Sequence, residues 1–309
     1  MIVTVTMNPS LDRTIEVPGL ERGQVVRAGA ARVDPGGKGV NVSRALLANG
    51  FATLAVLPCG GDEGLHLVRL LETERVPVRA VPIVGHTRSN VTIAEPDGTV
   101  TKINEPGPEL SAQEFDSVLA CLLEEASAAR WVVACGSLPP GLSEQDFAGL
   151  CRRLVAAGVR VAADTSGESL REAARAGVAL VKPNREELSD VVGAPLPTLG
   201  DVVEAARQLR AWGAGAVLAS LGAQGAVLVD DDGVISGEAP VNVPRSAVGA
   251  GDALLAGFLA AGARGARALA EALAWGAAAV SLPGSRMPGP DDVRRHNAVI
   301  HPLFEEYQR

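Results

Sequence analysis

Helical and extended patterns alternate regularly between residues 112 and 181, and this alternation constrains the fold most strongly. The sequence predicts helices at 112–128, 144–157 and 168–176, each followed by a strand, at 131–134, 160–163 and 179–181. Strands joined through helices run parallel, because the helix carries the chain back to the edge where it started. The pattern therefore predicts an α/β fold with a mostly parallel sheet covered by helices on both faces. Ligand sites in such sheets lie outside the carboxyl ends of the strands.

The amino-acid composition suits this architecture. Hydrophobic residues make up 47% of the 309 residues, but aromatic residues make up only 3%. The interior must therefore consist of Ala, Val and Leu, which pack well between helices and a parallel sheet. A chain of this length buries a large core and is expected to fold as one large domain, or as one domain with an appendage.

The rest of the chain supplies further elements and two extended segments. Residues 11–33 and 89–104 are extended, interrupted by turns and poor in core residues, and the second segment has a hairpin turn at 96–99. Together these segments are expected to form a small sheet beside the main domain. The other predicted elements are strands at 2–6 and 52–57, a helix at 38–49, a hairpin around 230–233 and three helices from about residue 251 onward.

Charge and hydropathy exclude several classes of partner. The net charge is −8 and no basic block is present, so neither nucleic acid nor an acidic membrane is an expected partner. No apolar stretch approaches the length needed to span a bilayer, and residues 1–10 lack the basic start and apolar run of a secretory signal. The protein is therefore expected in the cytoplasm.

The glycine-rich stretch at 246–253 carries the clearest chemical signal. It reads Ser-Ala-Val-Gly-Ala-Gly-Asp-Ala and leads into a helix predicted at 254–263. Glycines at a helix start let backbone N–H groups approach an anion, and the helix dipole favours negative charge there. Asp252 would repel a phosphate at such a site unless it has a separate task, and accepting a proton from an attacking hydroxyl is such a task. A glycine turn with Asp252 as a helix cap explains the stretch equally well.

A second glycine-rich stretch, Asp34-Pro-Gly-Gly-Lys-Gly-Val-Asn41, resembles a phosphate-binding loop. The usual ATP-binding loop is excluded, because it needs Ser or Thr after the Lys and an earlier Gly. What remains is a glycine turn entering a helix with one cation and one amide, which suits a hydroxyl-rich or phosphorylated ligand. Lys38 is one of three lysines among 28 basic residues, and Lys and Arg are not interchangeable in tight sites. Helix capping is the alternative explanation of Asn41.

Two more loops follow predicted strands and so lie at the same edge of the sheet. The first, at 182–187, contains Asn184 and Glu187, three residues apart at a helix start. This spacing puts both side chains on one face toward a ligand, although a capping pair has the same spacing. The second, at 220–225, is glycine-rich and suits either a nucleotide or a tight turn into the next strand.

Taken together, these motifs resemble those of the PfkB, or ribokinase-like, carbohydrate kinases over essentially the whole chain. The first family signature is matched by Gly36-Gly-Lys-Gly-Val-Asn-Val-Ser43 with Gly50 and Gly60, and the second by Val248-Gly-Ala-Gly-Asp252. The chain is most similar to the phosphofructokinase and tagatose-phosphate kinase branch. The stretches that carry this similarity are 8–12, 37–39, 87–91, 136–141 and 182–184.

The resemblance implies a role for each residue of these motifs. Asp252 would be the catalytic base, and the amides of Gly249, Ala250 and Gly251 would stabilise the transferring phosphoryl group. Glu187, with Asn184, would organise Mg²⁺ through water. The implied nucleotide-binding residues are Lys182, Asn184, Ser220, Gly222, Gly225 and Gly251. The implied sugar-phosphate-binding residues are Asp12, Arg27, Gly37, Lys38, Asn41, Arg88, Asn90 and Ser137.

The same resemblance implies a fold and an assembly. It predicts a ribokinase-like three-layer sandwich, a single domain over 1–309 with a mostly parallel central sheet and a small β-sheet lid. The lid would come from two insertions, at about 11–34 and 87–105, would close over the sugar, and would pair two subunits into a homodimer.

The implied reaction is transfer of phosphate from ATP to a hexose phosphate. Lys38 between its glycines and the stretch 104–109 favour fructose 1-phosphate as the acceptor, with fructose 1,6-bisphosphate as the product. Fructose 6-phosphate and tagatose 6-phosphate are the next alternatives, followed by ribose or a nucleoside on the same fold. A sugar-binding protein without activity would give Asp252 no reason to face an anion site. An NAD-binding oxidoreductase would need a Gly-x-Gly-x-x-Gly turn after the first strand, where residues 7–12 contain no glycine.

Overall fold

The computed structural model of the chain describes residues 1–302, so the end of the predicted domain, 303–309, lies outside the described residues. In chain order the strands are β1 (Ile2–Thr6), β2 (Ser10–Glu16), β3 (Ala30–Gly36), β4 (Thr53–Cys59), β5 (Val78–Pro82), β6 (Arg88–Ala94), β7 (Val100–Asn104), β8 (Trp131–Cys135), β9 (Val161–Asp164), β10 (Leu180–Val181), β11 (Val217–Ser220), β12 (Ala226–Asp230), β13 (Gly233–Glu238) and β14 (Val299–Pro302). The helices are α1 (Lys38–Ala48), α2 (Gly61–Thr73), α3 (Ala112–Ala126), α4 (Glu144–Ala156), α5 (Gly167–Arg175), α6 (Arg185–Val192), α7 (Leu199–Trp212), α8 (Ala250–Ala260), α9 (Gly265–Val280) and α10 (Pro290–Val293).

The large sheet has the strand order β14-β13-β12-β11-β10-β9-β8-β1-β4-β5. The strands from β5 across to β11 run parallel, and β12, β13 and β14 are added antiparallel at one edge. The direction of the connections reverses beside β1, since β4 lies on one side of it and β8 on the other. Ligands bind outside the carboxyl ends of the strands at such a reversal.

Helices cover both faces of this sheet, which makes three layers. Helices α3 to α7 pack on one face, against side chains that include Val3, Val5 and Val132. Helices α1, α8 and α9 pack on the other face, against Ile2 and Trp131 among others. Successive side chains of a strand point to opposite faces, and both faces are buried here, so β1 and β8 are continuously apolar or small. Capping boxes of a hydroxyl or Asn residue with Glu or Asp begin α3, α4, α6 and α7.

The small sheet has the order β3-β2-β6-β7. Strand β2 is antiparallel to β3 and parallel to β6, and β6 forms a hairpin with β7. It joins the large sheet at the functional edge, because β2 begins at Ser10, four residues after β1 ends, and β3 ends at Gly36, just before α1. The predicted mostly parallel sheet and the predicted small second sheet are both confirmed.

Several element predictions need correction or addition. The predicted start of the helix at residue 254 is wrong, since α8 begins at Ala250 and includes Asp252 in its first turn. Helices α2 and α7 and strands β5 and β14 are not among the elements predicted from the sequence. Within residues 1–302, no helix combines the length and the apolar character that crossing a membrane requires.

Candidate active site

The carboxyl ends of five neighbouring parallel strands bring polar side chains to one edge of the large sheet. The N-terminal turns of α1 and α8 lie at the same edge, since both helices contribute to one hydrogen bond, from Asn41 to Asp252. The edge residues are Asn8 after β1, Ser137 after β8, Asp164 at the end of β9, Lys182 after β10 and Ser220 at the end of β11.

Asp252 lies in the first turn of α8 and is buried. The helix is capped by Gly249 in a left-handed conformation, φ 75°, and among residues 1–302 no side chain makes a capping hydrogen bond there. The carboxylate instead accepts a hydrogen bond from Nδ2 of Asn41, at 2.9 Å from Oδ2. Asp252 is therefore not a helix cap, and its carboxylate faces the interior of the site. Asn41 is no cap either, because α1 is capped by Gly37 and Asn41 lies inside the helix.

The glycines before Asp252 leave room for close approach of other groups. A Cβ on Gly249 would lie 2.5 Å from Cε of Met287, and one on Gly251 would lie 3.3 Å from Nζ of Lys182. The first N–H groups of a helix have no partner within the helix and attract anions. The start of α8 therefore offers backbone donors beside both an ammonium group and the Asp252 carboxylate.

Two lysines and a buried aspartate form the charged centre of the site. Nζ of Lys38 donates to Oδ1 of Asp164 at 2.8 Å and to Oε1 of Glu187 at 3.1 Å. Nζ of Lys182 forms an ion pair with Oδ2 of Asp164 at 3.2 Å. The side chain of Asp164 is completely buried and that of Lys182 is 4% exposed, so these charges interact with little screening by water.

This environment shifts the pKa values of two groups. Burial raises the pKa of Asp252, and the charge of Asp164 raises it further. The hydrogen bond from Asn41 and the charges of Lys182 and Lys38 act in the opposite direction, and the resulting pKa is about 7. For Lys38, burial lowers the pKa, but Asp164 and Glu187 outweigh this effect and raise it above its ordinary range. Lys38 is therefore a permanent cation, while Asp252 can exchange a proton near neutral pH.

Asn184 and Glu187 form the capping box of α6. Oδ1 of Asn184 accepts from the Glu187 N–H at 2.8 Å, and Oε2 of Glu187 accepts from the Asn184 N–H at 2.8 Å. The capping explanation of their spacing is therefore correct, but Glu187 does more, because its Oε1 also accepts from Lys38. Among residues 1–302, no group of three or more His, Cys, Asp and Glu is placed to hold a metal ion. A metal ion at this edge would therefore take most of its ligands from bound phosphate groups and water.

The loop at 220–225 is a tight turn between β11 and the antiparallel β12. Leu221 N–H donates to the Gly225 carbonyl at 2.8 Å, and residues Gly222–Gln224 form one 3₁₀ turn. Gly225 has φ 87°, and a Cβ there would lie 1.9 Å from the Gly237 carbonyl oxygen. The loop nevertheless lies beside the other edge residues, because Ser220 and Asn184 form a parallel bridge.

Arg88 and Ser137 line a cavity of about 500 Å³, together with Asn8, Pro106, Thr165 and others. Nη1 of Arg88 donates to the Glu105 carbonyl and Nη2 to the Asn8 carbonyl, each at 3.0 Å. Its Nε is buried and, among the described residues, has no hydrogen-bond partner. Nδ2 of Asn8 lies 3.5 Å from Oγ of Ser137. A buried guanidinium donor that faces no protein acceptor suits an anionic ligand.

The other proposed sugar contacts lie in or beside the small sheet. Oδ1 of Asp12 accepts from Nδ2 of Asn90 at 2.9 Å and from Oγ of Ser10 at 2.8 Å. A Cβ on Gly36 would lie 2.4 Å from this carboxyl group, which explains the glycine at that position. Gly37, with φ 121°, makes the turn into α1. The structure thus brings Asp12 and Asn90 together.

The three basic residues implied as sugar-phosphate contacts, Arg27, Lys38 and Arg88, lie in separate environments. Lys38 contacts the carboxylates of Asp164 and Glu187, whereas Arg88 contacts backbone carbonyls near the small sheet. Arg27 is exposed in the segment between β2 and β3.

Sequence reasoning missed two residues that organise this centre. Asp164 binds both lysines, and the signal that identifies it is its position directly after a predicted strand, at the carboxyl edge of the sheet. Arg44 donates to Oδ1 of Asn41, and the signal that identifies it is its position three residues after Asn41 in the predicted helix, which puts both side chains on one face.

Comparison with known proteins identifies the family. A model described as the pfkB family of carbohydrate kinases matches residues 5–291. The chain belongs to this family. It is 37% identical to 1-phosphofructokinase of Rhodobacter capsulatus, over 94% of this chain and 93% of that protein. It is 36% identical to ATP-dependent 6-phosphofructokinase isozyme 2 of Escherichia coli K12, over 97% of this chain and 98% of that protein.

Structural comparison agrees with this assignment. The crystal structure of phosphofructokinase-2 from Escherichia coli superimposes with a TM-score of 0.90 at 35% identity, covering 95% of this chain and 97% of that one. The PfkB resemblance and the ribokinase-like α/β fold are therefore confirmed. The protein is a pfkB-family sugar kinase, which uses ATP to phosphorylate a hydroxyl group.

Proposed function

We propose that this pfkB-family kinase is a 1-phosphofructokinase. It transfers the γ-phosphoryl group of ATP to a hydroxyl of fructose 1-phosphate, and it releases ADP and fructose 1,6-bisphosphate. Its similarity to the Rhodobacter capsulatus enzyme of that name, over nearly the whole of both chains, supports the choice. Because ATP is supplied in the cytoplasm, we place the reaction there.

The position of Asp252 is the observation that carries the proposed chemistry. A buried carboxylate with a pKa of about 7 lies in the first turn of α8, the end of a helix that attracts an anion. In the proposed reaction Asp252 takes the proton of the attacking hydroxyl as the new O–P bond forms and the bond to ADP breaks. The amides of Gly249, Ala250 and Gly251 stabilise the charge on the transferring group.

The nucleotide is proposed to approach along the edge formed by Lys182, Asn184 and the 220–225 loop, with Gly222 and Gly225 allowing close contact. Lys182 lies beside Gly251 and so can contact the transferring phosphate. Mg²⁺, bound by the phosphates, would neutralise part of their charge. Glu187, through water, is the residue proposed to orient this ion.

The sugar phosphate is proposed to occupy the cavity beside Arg88 and Ser137, with its hydroxyls toward Asp12, Asn41 and Asn90. The cavity volume of about 500 Å³ suits a hexose phosphate. The unpartnered Nε of Arg88 suits the phosphate group of this sugar. Lys38, held between two glycines, and the 104–109 stretch support fructose 1-phosphate as the choice among hexose phosphates. The small sheet, from about 11–34 and 87–105, is proposed as the lid over this cavity and as the contact between two subunits. Arg27, in the exposed segment between β2 and β3, is proposed as a further contact of the sugar's phosphate.

A panel of acceptors tests the proposal. ADP release is measured with excess ATP and Mg²⁺ on fructose 1-phosphate, fructose 6-phosphate, tagatose 6-phosphate, fructose and ribose. We expect the highest kcat/KM with fructose 1-phosphate. Fructose and ribose should be lower by about a hundredfold or more, because each charged hydrogen bond to phosphate contributes about 1.5–3 kcal/mol.

A different order of kcat/KM values in the panel would favour one of the alternative acceptors. The similarity to 6-phosphofructokinase isozyme 2 makes fructose 6-phosphate the second candidate, followed by tagatose 6-phosphate. A preference for ribose or a nucleoside over every hexose phosphate would contradict the proposed phosphate contacts and leave only the kinase chemistry.

A further inference from the structure

Arg44 connects parts of the molecule that are far apart in sequence and meet beside Asp252. It lies in α1, is buried, and forms two parallel hydrogen bonds with Glu74, from Nε to Oε2 at 2.6 Å and from Nη2 to Oε1 at 2.7 Å. Its remaining nitrogen, Nη1, donates to Oδ1 of Asn41 at 3.3 Å and to the Ser285 carbonyl at 3.0 Å. Bidentate pairing fixes the plane of a guanidinium group, so Glu74 determines where Nη1 points.

The contact with Arg44 determines the orientation of the Asn41 amide. A guanidinium only donates, so the Asn41 atom that faces it must be the carbonyl oxygen. The NH₂ group must then face the opposite side, where it donates to Asp252 at 2.9 Å. An ionised carboxylate only accepts, so the demands of Arg44 and Asp252 select the same orientation. If the amide turned around, an oxygen would face the carboxylate and an NH₂ group would face the guanidinium.

Arg44 also secures the segment that borders the start of α8. Its Nη1 holds the Ser285 carbonyl, and Met287, two residues later, packs against Gly249 so closely that a Cβ there would lie 2.5 Å from Cε of Met287. The guanidinium therefore contacts both the side chain that hydrogen-bonds Asp252 and the segment that packs on the cap of its helix. Neither Arg44 nor Glu74 contacts Asp252 directly.

We infer that Arg44, held by Glu74, is a positioning residue that fixes the Asn41 amide as a donor to Asp252, which aims this carboxylate into the site and favours its charged form. The inference rests on the proposed role of Asp252 as the proton acceptor. The other groups that act on Asp252 are Asp164, Lys182 and Lys38, while the thiol of Cys135 lies in the same electrostatic environment. These four groups are unchanged in the variants below.

The test is the pH profile of kcat/KM in Arg44→Met, which keeps most of the side-chain volume and removes the donors. Without Arg44 the Asn41 amide is no longer held as a donor, and loss of its hydrogen bond to the charged Asp252 would raise the pKa of Asp252 by about one to two units. We therefore expect the acidic limb, near pH 7 in the wild type, to move up by that amount. The rate should fall about ten- to a hundredfold at about pH 6.5 and approach the wild-type value at about pH 9.5.

Three further variants distinguish a loss of Asn41 positioning from a general loss of structure. Arg44→Lys, which cannot pair bidentately, should shift the profile less than Arg44→Met. Glu74→Gln should shift it in the same direction by a smaller amount, and it carries the test if Arg44→Met does not fold. Arg69→Met, at an exposed arginine of the neighbouring helix α2, should leave the profile unchanged.

The results that would overturn the inference are distinct from those that would overturn the proposed function. Equal loss of rate at every pH in Arg44→Met, or an unshifted profile in the folded variants, removes Arg44 from the positioning role. Asp252→Asn is assayed alongside. If that variant keeps its turnover, the proposed base is wrong; if it loses turnover while the Arg44 and Glu74 variants keep the wild-type profile, only the Arg44 inference fails.

Discussion

Asp252 differs from the other carboxylates of the site in how its charge is compensated. Asp164 is paired with two lysines, and Glu187 with one lysine and a backbone amide. Asp252 accepts a hydrogen bond from the neutral Asn41 amide and, within residues 1–302, forms no ion pair. Two ammonium groups thus compensate three carboxylates, and the buried Asp252 is the one whose pKa rises. This makes it the group able to take a proton near neutral pH.

Replacement of Asp252 by Asn should lower kcat by about a hundredfold or more, because the hydroxyl of the sugar loses its proton acceptor. Turnover of the purified variant with fructose 1-phosphate and ATP measures this. The same variant should be more stable than the wild type at alkaline pH, because it no longer buries a charged carboxylate. A variant that keeps most of its turnover would contradict the proposed role.

The pH dependence of this stability gain follows from the shifted pKa. The pKa of Asp252 rises from an ordinary value of 3.8 to about 7 in the folded protein. Burial of the charged Asp252 therefore costs the wild type no folding stability below about pH 4. The cost increases up to about pH 7 and is complete above it. At about 1.4 kcal/mol per pKa unit the gain of Asp252→Asn is at most about 4 kcal/mol at pH 8 and vanishes near pH 4. Urea unfolding at both pH values measures it, with Asp116→Asn, at an exposed residue of α3, as the matched control.

At the scale of elements, the start of α6 combines a structural and a proposed functional task. A Gln at position 187 can still accept the hydrogen bond from the Asn184 N–H, so the capping box survives. The negative charge, and with it the ion pair to Lys38, is lost. Glu187→Gln therefore separates helix capping from electrostatic function.

We expect Glu187→Gln to raise the Mg²⁺ concentration needed for half-maximal rate by about tenfold or more, since residues that orient a metal's ligands contribute this much to its affinity. Initial rates over a Mg²⁺ series at fixed ATP measure the change. The control is Asp201→Asn, which makes the equivalent change in the exposed capping box of α7. An unchanged Mg²⁺ requirement would contradict a role of Glu187 in orienting the ion. Its functions would then be the capping of α6 and the ion pair with Lys38.

Elements with a strong local pattern could be predicted, and those without one could not. The strand at 2–6 and the helices at 112 and 144 match the structure, because apolar periodicity and capping residues are local signals. The sequence predicts the start of α8 four residues late, since Gly249-Ala-Gly251 is typical of a turn, although within this stretch only Gly249 has a left-handed backbone. Strand β5 is short and partly exposed, so its pattern is weak.

The loops of the site could be predicted from strand ends, but their side-chain pairs could not. Lys38 meets Asp164 across 126 residues, and Asn41 meets Asp252 across 211. Such contacts depend on the order of strands in the sheet, which spacing along the chain does not encode. The sequence therefore indicates Lys38 and Asp252 individually, and the spacing of Arg44 from Asn41 puts these two side chains on one helix face. It does not predict that Glu74 and Ser285 meet Arg44 there.

At the scale of the whole molecule, the two faces of the small sheet differ. Asp12, Asn90 and Asn104 are register partners across three strands, so one face is polar. On the other face Val91 pairs with Ile103, and Ile15 pairs with Ile93. The exposed Arg13, the partner of Val91 on β2, adds one charge to this otherwise apolar group. None of these four apolar side chains is buried, and Ile103 is 57% exposed. An apolar patch on a sheet face is typical of a contact between subunits.

If this apolar face joins two copies of the chain, a charge placed on it should separate them. We expect Ile103→Asp to change the wild-type dimer into a monomer in light scattering after gel filtration, because an unpaired carboxylate is costly to bury in an apolar contact. The wild type should also unfold at a temperature that rises with protein concentration, and the variant should lose this dependence. Val84→Asp is the matched control: Val84 is 93% exposed and lies outside the small sheet, so the same charge there should leave the dimer intact. A wild type that is monomeric at every concentration, or an Ile103→Asp variant that stays dimeric, would contradict pairing through this sheet.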